Sequence, residues 1–203
     1  MISEWLSEEY LKKGCVEHLR RSFLSAKPFP CLHLKNIFKR EKFNMLRNAL
    51  FQQEFTLKES DLFSLAQTGD FAGTTNPVLK EFRDFLLKDF RIFMEEITGE
   101  KFSKKNIDLA GSLYNDTHHL LCHDDQLEDR NIAFILYCSS LTKKEGGALR
   151  LFDNKNGSPS EIVKDLRPVE NSLAFFKVSK ISFHDVEEVR DARRYAIGGW
   201  YHE

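Results

Sequence analysis

Apolar residues recur at helical spacing through much of the first hundred positions of the chain. From Ser3 to Ser25 they fall among charged residues at mostly helical intervals, which predicts one or two amphipathic helices that pack outside the core. The same spacing predicts a helix from Lys39 to Gln52. A stronger stripe follows Pro77 and ends near Thr98-Gly99. We expect this aromatic stripe to face the core and to hold no cofactor.

Two segments interrupt the helical pattern. Lys27-Pro28-Phe29-Pro30 ends any helix, and the short apolar run 31–34 after it reads as extended chain in which His33 is structural. Asp61 to Asn76 is rich in Gly, Thr, Asp and Ser, with few apolar residues in register. This composition predicts a mobile loop, and loops of such length often carry function.

The pattern changes at Ile107 to short runs of apolar and aromatic residues separated by turn residues, which is typical of strands. Helices followed by many strands predict an α+β fold, in which helices flank a β sandwich or jelly roll. We expect one domain over 1–203, with 1–105 mainly helical and 106–203 forming the β core. The predicted strands are Asp108–Tyr114, Ile132–Cys138, Ala148–Phe152, Ser172–Val178 and Arg194–Tyr201.

Composition and charge narrow the class of protein. The 203 residues are 41% hydrophobic and include 18 Phe, which is enough apolar material for a single globular domain. With 30 Lys+Arg against 31 Asp+Glu, the formal net charge of -1 argues against direct nucleic-acid binding. No apolar run approaches the ~18 residues of a membrane span. We therefore expect a protein without a membrane role.

The cysteines stand singly at positions 15, 31, 122 and 138. Such spacing predicts reduced thiols in the cytoplasm or nucleus, and it argues against a zinc site built on cysteines.

One group of polar residues in the second half of the sequence is a candidate metal site. His123 and Asp125 are two positions apart, so on an extended segment their side chains project to the same side and both reach one ion. A histidine two residues before an aspartate is a weak signal alone and requires a third ligand. The downstream candidates are His184, where an apolar strand ends, and His202.

The alternation of side chains along the last predicted strand also indicates a binding group for an anion. It places Arg194, Ala196 and Trp200 on one face, and an arginine that faces a β core requires a negatively charged partner. Two histidines and one carboxylate form the facial triad of non-haem Fe(II) sites. A planar guanidinium pairs with the far carboxylate of a bound dicarboxylate. Together these groups predict a site for Fe(II) and 2-oxoglutarate.

The same stretches resemble a known family. They are similar to the Fe(II)- and 2-oxoglutarate-dependent prolyl hydroxylases, and within these to the eukaryotic ribosomal enzymes that modify small-subunit protein S12/S23. The resemblance extends from Leu32 to the end of the sequence. Its motifs are LCHDD at 121–125, RNIAFILY at 130–137, GGALRLF at 146–152, AFFKV at 174–178, SFHDVEEV at 182–189 and RYAIGGWY at 194–201.

The resemblance implies a double-stranded β-helix, the jelly-roll core of cupin-like proteins, with flanking N-terminal helices. It also implies Fe(II), 2-oxoglutarate and O2 as reaction partners, ascorbate as a candidate reductant, and a segment at 62–75 that closes over the substrate. Implied metal ligands are His123, Asp125 and His184. Implied cosubstrate contacts are Arg194, Tyr114, Tyr137 and Trp200.

The implied activity is hydroxylation of a prolyl residue in a ribosomal small-subunit protein, with release of succinate and CO2. Two alternatives stay open: an oxygen-sensing or other protein prolyl hydroxylase of the same chemistry, and a catalytically silent cupin-like binding domain. Complete ligands and an inward arginine disfavour the last. Ala196 stands where the ribosomal enzymes usually have serine. Those enzymes also carry a second, catalytically silent domain after the first, so these 203 residues are interpreted either as the catalytic domain alone or as a minimal relative.

We expect no metal-binding role for the residues beside the implied ligands. Asp124 and Asp185 are expected to be solvated loop acids, and neither His118 nor His119 is assigned to the metal. Arg130 is interpreted either as a surface arginine or as a residue that positions a peptide.

Overall fold

A computed structural model describes residues 1–127 and 129–203. All the helices of this described part lie in its first half together with three strands, and the remaining strands lie in its second half. The helices are α1 Ile2–Trp5, α2 Cys15–Ser25, α3 Arg40–Phe51, α4 Pro77–Phe85 and α5 Arg91–Thr98. The strands are β1 Cys31–Leu34, β2 Thr56–Glu59, β3 Phe63–Gln67, β4 Ile107–Tyr114, β5 His119–His123, β6 Arg130–Tyr137, β7 Leu149–Lys155, β8 Ser158–Leu166, β9 Ser172–Lys177, β10 His184–Val186 and β11 Arg194–His202.

The helix predicted after Pro77 is confirmed, with one local irregularity. The Asn76 side chain accepts hydrogen bonds from two backbone N–H groups of the first turn, and Pro77 occupies the first helical position. A π-helical turn, Leu86–Phe90, joins α4 to α5, which ends at Gly99 in a left-handed conformation. The aromatic stripe lies in the core as expected. None of the helices in residues 1–127 and 129–203 has the length and apolar character needed to span a bilayer.

The expectation that the first helices pack outside the core is wrong. Trp5, Leu6, Leu19 and Phe23 are buried in the main hydrophobic cluster, with Trp5 stacked on Phe85 at 5.0 Å between ring centroids. The pattern of apolar residues identified which face is buried. The pattern does not reveal that the sheet and α4 provide the apolar surface that covers this face.

The predicted jelly-roll core is confirmed as a nearly closed sheet of antiparallel strands. The strand order is β1-β9-β6-β11-β4-β3-β5-β10-β7-β8, and β2 pairs with β3. Strands β1, β9, β6, β11 and β4 form the wall that the helices cover, and β5, β10, β7 and β8 form the opposite wall. Strand β3 connects the two walls, because it pairs with both β4 and β5.

Alternation along the central strands separates the two faces of the covered wall. On β6, Phe134 and Leu136 belong to the cluster shared with the helices, whereas Ala133 and Tyr137 belong to the cluster inside the barrel. On β11, Ile197 faces the helices while the residues at even positions face the barrel interior. This period of two brings polar residues of the last strand into the barrel.

The prediction of a mobile loop from Asp61 to Asn76 is wrong in part. Phe63–Gln67 is strand β3, in hydrogen-bonded register with β2, β4 and β5, and a short 3-10 turn follows at Phe71–Gly73. Pairing on both sides satisfies the backbone of a segment whose own side chains give little strand signal. Leu65 and Gln67 therefore line the barrel cavity from a hydrogen-bonded strand.

Candidate active site

Three side chains, two from neighbouring strands of the barrel and one from the segment after β5, meet at one point. His123 ends β5 and lies opposite His184, the first residue of β10. Asp125 follows β5 with a φ of 61°, a left-handed conformation that turns its carboxylate back toward both rings. Its Oδ1 lies 3.2 Å from Nε2 of His123, and its Oδ2 lies 3.4 Å from Nε2 of His184. One ligand atom of each residue lies within 4.8 Å of the others.

Backbone carbonyls orient both imidazoles. Nδ1 of His123 lies 2.9 Å from the carbonyl oxygen of Leu121, and Nδ1 of His184 lies 2.8 Å from that of Ser182. A carbonyl only accepts hydrogen bonds, so each Nδ1 carries the proton. Nε2 of each ring therefore faces the common centre, which is the arrangement that metal-binding histidines use.

Burial and electrostatic attraction shift the pKa values of this cluster in opposite directions. Burial by itself raises the pKa of Asp125, but hydrogen bonds and charge from His123 and His184 outweigh it and hold that pKa well below its usual range. Burial likewise lowers the pKa of His123, and its hydrogen bond with Asp125 more than compensates, so the net shift is upward. The cluster thus places one buried negative charge at the point where both Nε2 atoms converge.

A tryptophan and an arginine flank the Asp125 carboxylate on the side of the barrel mouth. Nε1 of Trp200 donates a hydrogen bond of 2.9 Å to Oδ2 of Asp125. The Arg130 guanidinium stacks on the Trp200 ring, 3.6 Å from its centroid, and its Nη1 lies 3.6 Å from Asp125 Oδ1. Arg130 is thus no ordinary surface arginine. Its position at the head of β6, adjacent to β11, was the signal in the sequence.

Arg194 supplies a buried positive charge inside the barrel. It is 1% exposed, and its guanidinium lies between the rings of Tyr114 and Tyr137, 4.9 and 5.0 Å from their centroids. Its Nε and Nη2 have no hydrogen-bond partner among the described residues. Buried guanidinium donors without partners are costly, so the site is complementary to an anion with paired oxygens.

The cluster and the arginine line one cavity of about 360 Å³. Tyr114 and Trp200 line it as well, and so do Leu65 and Gln67 of β3. The structure thus brings six of the seven residues singled out in the sequence to a common cavity. Those six are His123, Asp125, His184, Arg194, Tyr114 and Trp200.

Tyr137 is the exception, because it lies behind Arg194 and is absent from the cavity wall. Its hydroxyl donates a hydrogen bond of 3.3 Å to the carbonyl of Leu166. Burial raises the pKa of Tyr137 and, against the charge of Arg194, raises that of Tyr114 to about 12. Both phenols are therefore protonated near neutral pH, and the Tyr114 hydroxyl is available as a donor in the cavity.

The expectation that Asp185 is a solvated loop acid is wrong. It is the central residue of β10, is 6% exposed, and forms a bidentate ion pair with Arg150 of β7. Asp124 follows β5, and its side chain accepts a hydrogen bond from the backbone N–H of Gln126. His33 is structural as predicted, with Nε2 2.8 Å from the Ser172 hydroxyl.

Comparison with known proteins places this site in a family context. Residues 109–202 match the model of the 2OG-Fe(II) oxygenase superfamily. Prolyl 3-hydroxylase OGFOD1 of Xenopus laevis is 40% identical over 161 residues, which are 77% of this chain and 31% of that protein. Prolyl 3-hydroxylase OGFOD1 of Mus musculus is 35% identical over 214 residues, which are 99% of this chain and 39% of that protein. The chain thus spans well under half the length of these relatives.

Solved structures show the same fold. A Pseudomonas putida prolyl-4-hydroxylase superposes with a TM-score of 0.75 at 13% identity, over 93% of this chain and 98% of that one. A Trichoplax adhaerens prolyl hydroxylase, in complex with a peptide fragment of the hypoxia inducible factor oxygen degradation domain, superposes with a TM-score of 0.70 at 14% identity, over 97% of this chain and 96% of that one. The model match and the sequence relatives identify residues 109–202 as a region of the 2OG-Fe(II) oxygenase superfamily, within a chain that has the fold of these solved hydroxylases.

Proposed function

We propose that residues 1–203 form one catalytic domain of a protein prolyl hydroxylase, in which His123, Asp125 and His184 bind Fe(II). The observation that supports this most strongly is the shared cavity. It holds a two-histidine, one-carboxylate cluster and a buried guanidinium with unpaired donors. Burying a carboxylate and an unpaired guanidinium costs free energy, and a catalytically silent cupin-like domain has no use for either group.

The donor set suits ferrous iron. Two neutral imidazoles and one carboxylate supply three ligand atoms, and this set leaves further coordination positions for small ligands. Metal binding also offsets the cost of burying Asp125. Among the described residues, its positive neighbours within 4 Å are a partly exposed Arg130 and two imidazoles that are charged only if protonated.

The cosubstrate proposed for the cavity is 2-oxoglutarate. Nε and Nη2 of Arg194 bind the carboxylate farther from the metal, and the Tyr114 hydroxyl donates a hydrogen bond within the cavity. Tyr137 acts differently from the expectation drawn from the resemblance: it supports the Arg194 guanidinium from behind. Trp200 forms part of the wall between this anion site and the mouth.

When bound, iron with 2-oxoglutarate and O2 supplies the oxidising power that inserts oxygen into a C–H bond, with succinate and CO2 as products. The residues of the chain provide the setting. Phe176, 4.5 Å from the His184 ring between centroids, and Leu149 give the cavity an apolar wall that limits water. Proton transfer by a side chain is not part of this scheme.

The proposed substrate is a prolyl residue in a ribosomal small-subunit protein of the S12/S23 type. The naming of the sequence relatives as prolyl 3-hydroxylases supports a prolyl substrate. We place the peptide at the mouth of the cavity, where Trp200 stacks against Arg130 beside the metal cluster and where Leu65 and Gln67 of β3 also line the wall.

The test is incubation of the purified protein with Fe(II), 2-oxoglutarate, ascorbate and proline peptides, followed by mass spectrometry. One peptide series comes from the small-subunit protein, a second from oxygen-sensing factors, and a matched series carries alanine for proline. We expect a gain of about 16 Da, one oxygen atom, on the first series only. Modification confined to the second series favours an oxygen-sensing hydroxylase. Absence of both modification and succinate from the folded, iron-loaded protein contradicts the proposal.

A further inference from the structure

We propose that Arg150 and Asp185 are positioning residues that hold His184 in its ligand orientation from the outer face of the sheet. This inference rests on the proposed metal site. The two residues lie on β7 and β10, in directly opposed register, and neither lines the cavity. Their role is to fix the strand that carries the third ligand.

The ion pair has the geometry of a clamp. Nε of Arg150 donates to Oδ1 of Asp185 at 2.8 Å, and Nη2 donates to Oδ2 at 2.6 Å. Such parallel, charge-assisted hydrogen bonds define orientation as well as distance. The Asp185 side chain is 8% exposed and that of Arg150 is 29% exposed, so solvent screens the pair less than an ordinary surface pair.

Strand β10 requires such a clamp because it is short. It has three residues, and its pairing with β5 is irregular between His184 and Val186. Only the β7 side has continuous register, with His184 opposite Leu151, Asp185 opposite Arg150, and Val186 opposite Leu149. A slip of one residue turns the His184 side chain out of the barrel and Asp185 into it. Three residues of backbone pairing give little resistance to that slip, and the ion pair adds a penalty to it.

The experiment measures metal affinity without turnover. Metal-free protein is titrated with Co(II), and visible absorption reports both the dissociation constant and the coordination of the ion. We expect Arg150→Met and Asp185→Asn to weaken Co(II) binding by roughly 10–100-fold and to change the spectrum of the bound ion, as other supports of metal ligands do. The exchanged pair Arg150→Asp with Asp185→Arg restores the clamp in reverse, and we expect its affinity to return to within about threefold of the parent.

A second buried ion pair provides the matched control. Arg91 and Glu95 of α5 are paired at 2.5 Å, with side chains 12% and 9% exposed, and neither lines the cavity. Arg91→Met removes a comparable pair, so we expect lower thermal stability with unchanged Co(II) affinity.

Three results overturn the inference. The first is Co(II) affinity of folded Arg150→Met and Asp185→Asn that matches the parent. The second is an exchanged variant that is folded but binds Co(II) as weakly as the single variants. The third is a loss of affinity in Arg91→Met as large as in Arg150→Met. If the parent itself binds no Co(II), or if His184→Ala binds it as tightly as the parent, the proposed metal site fails as well.

Discussion

Asp125 shows how one backbone conformation organises the cluster. Strand alternation predicted that its carboxylate and the His123 ring share a side, and the two groups do lie together. The cause differs from the prediction, because β5 ends at His123 and Asp125 adopts a positive φ. Aspartate tolerates this conformation better than most residues. The turn also lets one carboxylate contact both imidazoles, which a straight strand does not allow.

Arg194 is the residue whose replacement separates cosubstrate binding from metal binding. We expect Arg194→Met to weaken 2-oxoglutarate binding by at least about 30-fold, or about 2 kcal/mol, because a buried carboxylate loses its charged partner. Isothermal titration of the Co(II)-loaded protein measures this change. Co(II) affinity is the control and should stay the same, since the guanidinium is no ligand. Unchanged 2-oxoglutarate affinity would remove Arg194 from the site.

His33 predicts a pH dependence of stability. Burial, with added repulsion from Lys35 and Lys164, lowers its pKa from 6.5 to about 4. Between these two pH values the unfolded chain binds more protons than the folded one. The contribution of His33 to the free energy of unfolding is therefore complete above pH 6.5 and is lost as the pH falls toward 4. We expect the free energy of unfolding to fall by about 1–2 kcal/mol. This is less than the free-energy equivalent of the whole pKa shift, because the ring is partly exposed and solvent screens its charge.

Urea unfolding at pH 7 and pH 4.5 measures this dependence. His33→Gln keeps a donor for the Ser172 hydroxyl but does not titrate, so the variant should show a smaller difference between the two pH values. Equal differences in both proteins would assign the acid sensitivity to other groups.

At the scale of elements, β11 depends on a glycine that permits close pairing. A Cβ at Gly199 would lie 1.7 Å from the carbonyl oxygen of Asp108 on β4, which is a backbone atom with little freedom to move. We expect Gly199→Ala to lower the free energy of unfolding by about 2–4 kcal/mol, because β4 and β11 must separate locally. Gly73→Ala is the control, since its Cβ meets no atom within 4 Å. Chemical denaturation compares the two, and equal small effects would contradict this account.

Sequence patterns located the strands that carry apolar side chains. Each of the five predicted strands is present within a few residues of its expected bounds. Strands β2, β3, β8 and β10 were missed for physical reasons. The residues of β2 are all exposed, and most of those of β8 are. Strand β10 has only three residues, and β3 owes its conformation to strands on both sides.

At the scale of the whole molecule, helices and barrel share one core. The main cluster includes Trp5 of α1, Phe82 of α4, Phe134 of β6 and Ile197 of β11. The helical half therefore acts as the outer cover of the wall that carries Arg194. We expect 1–203 to unfold as a single cooperative domain.

The two tryptophans test this expectation, because Trp5 reports on the helices and Trp200 on the barrel. In Trp200→Phe the fluorescence comes from Trp5, and in Trp5→Phe it comes from Trp200. We expect each variant to show the same denaturation midpoint by fluorescence and by far-ultraviolet circular dichroism. A fluorescence midpoint that departs from the circular dichroism midpoint of the same variant would indicate two separately unfolding units.

The sequence by itself determined which residues are apolar, with what period, and therefore where most helices and the strands of the covered wall form. Together with its motifs, it also selected the histidines, the aspartate and the arginine of the candidate site. Tertiary structure alone decided what depends on meetings between distant segments. These are the clamp of Arg150 on Asp185, the stacking of Arg130 on Trp200, and the place of Tyr137 behind Arg194. Local pattern encodes burial and period, whereas such pairings depend on the register between strands that are far apart in the chain.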